Sequence, residues 1–190
     1  MRYLKKQNNS YVVTQNLTYA VKSNRNNIRE ILLTEQKRYC AYSERYIKNT
    51  DSCHIEHFDP RLKDLESDNY FNWYAVLGWI NEHKAKKIEP YLPILNPNSD
   101  DINKRIFYKD GIFYASNQND EEADNLIKFL LFNKNELVTD RQKHINRLKS
   151  LRNLIGDDLF HQKLQQFPEE LSFATAIEVE LNIDLSTYLN

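Results

Sequence analysis

The sequence predicts an α+β protein: a small mixed module in the first half and a mostly helical second half, packed as one unit. Three observations carry that expectation. Residues 106–116, IFYKDGIFYAS, set aromatic and branched residues on both sides of Lys109-Asp110-Gly111, the clearest hairpin signal in the chain. From Asp120 onward, apolar residues recur at helical spacing. Residues 38–87 gather both cysteines (Cys40, Cys53) and His54, His57 and His83, so the chemistry is concentrated before the helices begin.

At 190 residues the chain is long enough for one well-buried core. A hydrophobic fraction of 41%, with 12 Tyr and 9 Phe, excludes a disordered chain, and only 3 Gly argue against long flexible linkers. No run approaches the ~18 apolar residues of a membrane span. The start, MRYLKKQNNSYVV, lacks the apolar segment of a signal peptide. A cytoplasmic location is expected. Two cysteines are too few for a disulfide framework. Residues 1–90 hold 15 Lys/Arg against 11 Asp/Glu, and residues 91–190 hold 11 against 16, for a net charge of −1. That balance excludes a strongly basic binder. It tilts the first half toward a phosphate-bearing partner.

In chain order, residues 3–21 read as irregular with a short strand. Ser23 or Asn24 is an N-cap for a helix that places Ile28, Ile31, Leu32 and Gln36 on one face. Residues 40–58 carry the turn cluster Asn49-Thr50-Asp51-Ser52, so short strands flanking it would form a hairpin ending in HIEHF. Residues 59–69 are charged and loop-like. FNWYAVLGWI reads as a buried strand that exits at Gly78, and INEHKAKK as the start of a helix. A turn-rich connector, PILNPNSDD, leads to the hairpin. Asp120 caps the next helix, with Ala123, Leu126, Ile127 and Leu130 on one face. The next helix aligns Leu137, Arg141, Ile145, Leu148, Leu151 and Ile155 and is stopped by Gly156. Its Lys/Arg-rich stretch, 141–152, reads as a solvated face. Two further helices, at about 157–167 and 169–182, complete the chain.

The residue types in the central stretch suit phosphodiester hydrolysis, which needs a base for water and a cation to stabilise phosphate charge. Histidine, neutral at pH 7, can accept the proton. A hard divalent cation takes carboxylate and amide oxygens. Neighbours Glu56 and His57 point to opposite faces of a strand, so a distortion at Asp59-Pro60 would be needed to bring both to one site. By the same alternation His54 falls a residue out of phase with that site and reads as structural. Cys53 and His54 diverge and do not make a nucleophile pair. Tyr70, Phe71, Trp73 and Tyr74 read as core.

The run EHFDP at 56–60 resembles the Asp/Glu-His-x-x-Pro signature of the HNH endonucleases, and Asn72 and NEHK at 81–84 resemble the family's later Asn and Asn-x-x-Lys. CAYSERYI, PILNP with its paired acids, the Asp-Gly hairpin and FNKNELVTDRQKHI extend the likeness over most of residues 30–150. They resemble the HNH subunits of Septu-type and retron-associated phage-defence systems. The resemblance implies a ββα-metal core at 38–90, a connector and added hairpin at 91–118, and a helical scaffold or partner surface at 119–190, all within one domain. It implies a nuclease acting on nucleic acid, most naturally DNA, with Mg²⁺ or Mn²⁺ and an ABC- or SMC-like ATPase partner. His57 would be the base, Glu56, Asn81 and His83 the metal ligands, and Asn72 a brace for the loop presenting His57. Lys84 would contact phosphate, with Arg61, Lys86 and Lys87 as further nucleic-acid contacts. The alternative is an inactive HNH fold serving as a structural subunit of an ATPase complex. One departure stands out. Where such proteins often carry two Cys-x-x-Cys pairs on zinc, this chain has Cys40 followed by Ser43, Leu77 and Ile80. Structural zinc is therefore not expected, and packing of Tyr42, Trp73, Leu77 and Ile80 should take its place.

Overall fold

The computed structural model describes residues 3–189. The chain is mixed α+β, with two small antiparallel sheets set among helices. Residues 3–21 hold a one-turn helix, α1 (Tyr11–Thr14), capped by Ser10, and not the expected strand. Helix α2 (Asn24–Glu35) follows and buries Ile28, Leu32 and Leu33. Ser23 makes no side-chain cap bond to it.

The first sheet pairs β1 (Cys53–His57) with β2 (Trp73–Leu77), in a register that sets His57 opposite Trp73 and Cys53 opposite Leu77. This corrects the expected hairpin across residues 49–52. Residues 40–48 form no strand; a single bridge joins Tyr39 and Tyr46. Glu44 takes a positive φ of 58°, which breaks the extended backbone a ladder needs. Its carboxylate instead accepts from the Thr175 backbone N–H and hydroxyl, both at 2.8 Å. WYAVL, buried at all five positions, is the stronger partner for β1.

The other edge of β2 is met by the chain that precedes it. Gln36 accepts from the Ala75 N–H at 2.9 Å and donates to the Ala75 carbonyl at 2.8 Å. Ala41 N–H donates to the same carbonyl, Cys40 Sγ accepts from the Leu77 N–H, and the Lys6 ammonium donates to the Trp73 carbonyl. Tyr42, Trp73, Leu77 and Ile80 are all buried here.

Helix α3 (Gly78–His83) begins directly at the end of β2, earlier than INEHKAKK suggested, and ends one residue before Lys84. The start depends on glycine. Gly78 N–H donates to the Ser52 carbonyl at 2.8 Å, and a Cβ at Gly78 would lie 2.6 Å from Ser52 Oγ and 2.9 Å from Ser52 Cβ. Alanine is worth about 1 kcal/mol more than glycine inside a helix, whereas overpacking of this kind costs about 1–3 kcal/mol. Gly78→Ala should therefore lower stability in urea titrations; a gain would show that Ser52 yields freely.

After a connector come α4 (Ile102–Arg105) and the hairpin of β3 (Ile106–Lys109) and β4 (Ile112–Ala115). Asp110 and Gly111 both have positive φ, as a two-residue turn of this hand requires. Helix α5 (Glu121–Phe129) is capped by Asp120, which accepts from Ala123 N–H at 3.0 Å. Helix α6 (Asn135–Ile155) stops at Gly156, whose φ of 78° ends it. Helices α7 (Asp157–Gln166) and α8 (Ala174–Leu181) close the fold, with a short 3₁₀ turn at Pro168–Leu171 where a continuous helix was expected. One hydrophobic cluster runs from Tyr3 to Leu185 and draws on all of these regions. Arg141 lies inside it, so the 141–152 stretch is not uniformly a solvated face. Among the described residues, no helix is long and apolar enough to cross a membrane.

Candidate functional site

Along β1, alternation puts Cys53, Ile55 and His57 on one face and His54 and Glu56 on the other. His54 and Glu56 are thus in phase, not out of phase. Both bond to α3 or the residue that follows it: Asn81 Nδ2 lies 3.0 Å from His54 Nδ1, and Lys84 Nζ lies 2.8 Å from Glu56 Oε1. His54 also meets Ser52 Oγ at 2.8 Å through Nε2. An open cleft of about 510 Å³ runs along β1 and reaches both faces. Its walls include His54, Glu56, His57 and Asn81, together with the cations Arg25, Arg29, Lys63, Lys84 and Lys86. Glu56 and His57 therefore share one cleft although β1 stays in register. No distortion at Asp59-Pro60 is needed, because among the described residues β1 has no strand on its other side.

His57 is 5% exposed. Its ring meets Tyr19 edge-on at 4.6 Å and Trp73 at 6.4 Å between centroids. Nε2 lies 3.0 Å from Asp68 Oδ2, within ion-pair distance but off the line of a good N–H bond. Burial pushes the His57 pKa below the usual imidazole value, and the Asp68 carboxylate opposes that shift. Asn72 ties the connecting loop: its Oδ1 accepts from Asp59 N–H at 2.7 Å, and its Nδ2 donates to the Asp59 carbonyl at 3.1 Å.

Lys84 is also enclosed, its side chain 2% exposed, with Nζ 3.9 Å above the centre of the Phe129 ring. Burial lowers its pKa, and Glu56 pulls the other way. In this structure its ammonium holds Glu56 and does not project as a free phosphate contact. His83 is not brought to the cleft. It sits about 200° around the helix from Asn81, stacks on Trp79 at 4.4 Å, and bonds the Trp79 carbonyl through Nδ1. Arg61 pairs with Asp59 at 2.7 Å and Lys87 is exposed; neither lines the cleft, whereas Lys86 does. Burial pushes the Cys53 thiol up to about 11, which leaves it protonated at neutral pH.

As oxygen donors the cleft offers the Glu56 carboxylate, already paired with Lys84, and the Asn81 amide; both ring nitrogens of His54 are engaged, with Asn81 Nδ2 and Ser52 Oγ. Among the described residues, no group of three or more His, Cys, Asp or Glu is placed to hold a metal ion. One carboxylate and one amide oxygen are hard donors of the type Mg²⁺ accepts while keeping several waters. Arg25 and Arg29 on α2, Lys63, and above all Asp68 were not singled out from sequence. Asp68 stands in a loop with Asp64 and Glu66, and only folding distinguishes it from them. Comparison with models of protein families, with curated proteins and with solved structures finds no significant match.

Proposed function

We propose that this chain is a metal-dependent endonuclease of the HNH type. The observation that supports the reading is that Glu56 and His57 of β1 and Asn81 of α3 line one cleft, walled also by Arg25, Arg29, Lys63, Lys84 and Lys86, within a β1–β2–α3 succession. A nucleic-acid backbone, most naturally that of DNA, is the substrate such cations attract. Neutral His57 takes the proton of the attacking water. Lys84 holds the Glu56 carboxylate in place. Glu56 and Asn81 would hold a divalent cation, which when bound supplies positive charge to the phosphate and the leaving oxygen. The likeness to phage-defence subunits makes the setting an antiviral effector in the cytoplasm beside an ABC- or SMC-like ATPase.

One observation favours a second reading, an inactive structural subunit of such a complex: Glu56 already has a cation in Lys84. Plasmid cleavage with Mg²⁺, with Mn²⁺ and with EDTA, alone and with the ATPase, separates the two. The nuclease cuts with either metal and stops in EDTA. Intact plasmid under every condition would hand the protein to the second reading.

A further inference from the structure

The loop between β1 and β2 carries one buried carboxylate whose two oxygens have different partners. Asp68 is 5% exposed at its side chain. Its Oδ1 accepts from Asn72 Nδ2 at 2.9 Å and from Trp73 Nε1 at 2.8 Å. Its Oδ2 faces His57 Nε2 at 3.0 Å. Burying a carboxylate costs several kcal/mol unless such donors compensate it. Two other acids of the loop, Asp64 and Glu66, stay in solvent, whereas Asp68 is enclosed.

We infer that Asp68 is a positioning residue for His57, holding the imidazole with its proton on Nε2 so that Nδ1 carries the lone pair. Among the described residues, none hydrogen-bonds Nδ1. The ring cannot swing freely, because Tyr19 and Trp73 flank it. Trp73 has two roles here: it packs on His57 and donates to Asp68. Asn72 likewise braces the Asp59 backbone and the Asp68 carboxylate together. At 3.0 Å from Oδ2, Nε2 is within reach of the carboxylate but too far off its line to count as hydrogen-bonded, so a modest turn of either side chain is needed to close the bond, as catalytic hydrogen bonds often do when substrate binds.

The inference rests on the nuclease reading for its catalytic meaning but not for its geometry, and the test separates the two. Long-range ¹⁵N–¹H NMR at about pH 8, above the ordinary imidazole range, reports the tautomer of each histidine. The His57 signal is assigned by its loss in His57→Gln. Wild type should show the Nε2–H form. In Asp68→Asn the oxygen of the new amide stays with the Asn72 and Trp73 donors, so its NH₂ turns toward Nε2 and forces the Nδ1–H form. Plasmid cleavage by Asp68→Asn should then lose on the order of 10²-fold in kcat with KM little changed. An Nδ1–H tautomer in wild type would overturn the inference, as would a variant that keeps both tautomer and kcat. If the variant does not fold, the wild-type tautomer alone decides. If wild type cuts nothing but the tautomer switches as expected, Asp68 keeps its role and the nuclease reading is what fails.

Discussion

Replacing His57 with alanine is expected to slow metal-dependent plasmid cleavage by at least about 10²-fold, the usual contribution of a positioned base. No other neutral imidazole shares its place: His54 is committed to Asn81 and Ser52, and His83 is stacked on Trp79 outside the cleft. The substitution also removes a ring packed against Tyr19 and Trp73, so the change in stability must be measured beside the rate. His57→Gln fills most of that volume and should fold like wild type while remaining as slow as alanine. Cutting at the parental rate by either folded variant would remove His57 from the base role.

The largest loss of stability is expected at Arg141, far from the cleft. Its guanidinium is 1% exposed, lies 4.8 Å from the Phe113 ring centre and 5.6 Å from that of Phe173, and donates to the Gly111 and Phe132 carbonyls. Burial disfavours its charge, and Glu44 is the acid that most offsets this. Arg141→Ala strands two buried carbonyls, weakens the case for a buried Glu44, and opens a cavity between two aromatic rings. Breaking a buried charged network of this kind costs about 3–5 kcal/mol, against a total near 5–15 kcal/mol for a domain. The urea midpoint should fall steeply. Lysine recovers only part, because one ammonium cannot span both carbonyls with a fixed fork. A loss below about 1 kcal/mol for alanine would show that the hairpin turn and α6 do not depend on this side chain.

Much of the fold was legible because its signals are local. The Asp110-Gly111 turn, the Asp120 cap and the Gly156 stop each act within a few residues, and the structure has all three. The strand at 73–77 was legible too, from an unbroken run of bulky residues. Its partner was not. Pairing β1 with β2 closes a 15-residue loop, and a nearer turn at 49–52 offered a competing hairpin that the positive φ of Glu44 and the fully buried WYAVL strand disfavour. Arg141 shows the same limit: its position in the apolar stripe of α6 was visible, but charge alone argued for solvent. At the site, Glu56, His57 and Asn81 could be picked out by residue type and spacing. Asp68 could not, since its distinction lies in the donors that Asn72 and Trp73 bring to it.

The hydrogen bonds that Lys6, Gln36, Cys40 and Ala41 share with β2 have a consequence beyond local stability. An uncovered strand edge is a template on which a second molecule can add its own strand, the first step of many aggregation routes. Here that template is filled by side chains and a loop of the same molecule. A two-stranded sheet would otherwise be among the easiest to extend. This one cannot grow past β2, so crowding many copies of the chain together should not convert them into a continuous sheet through that side.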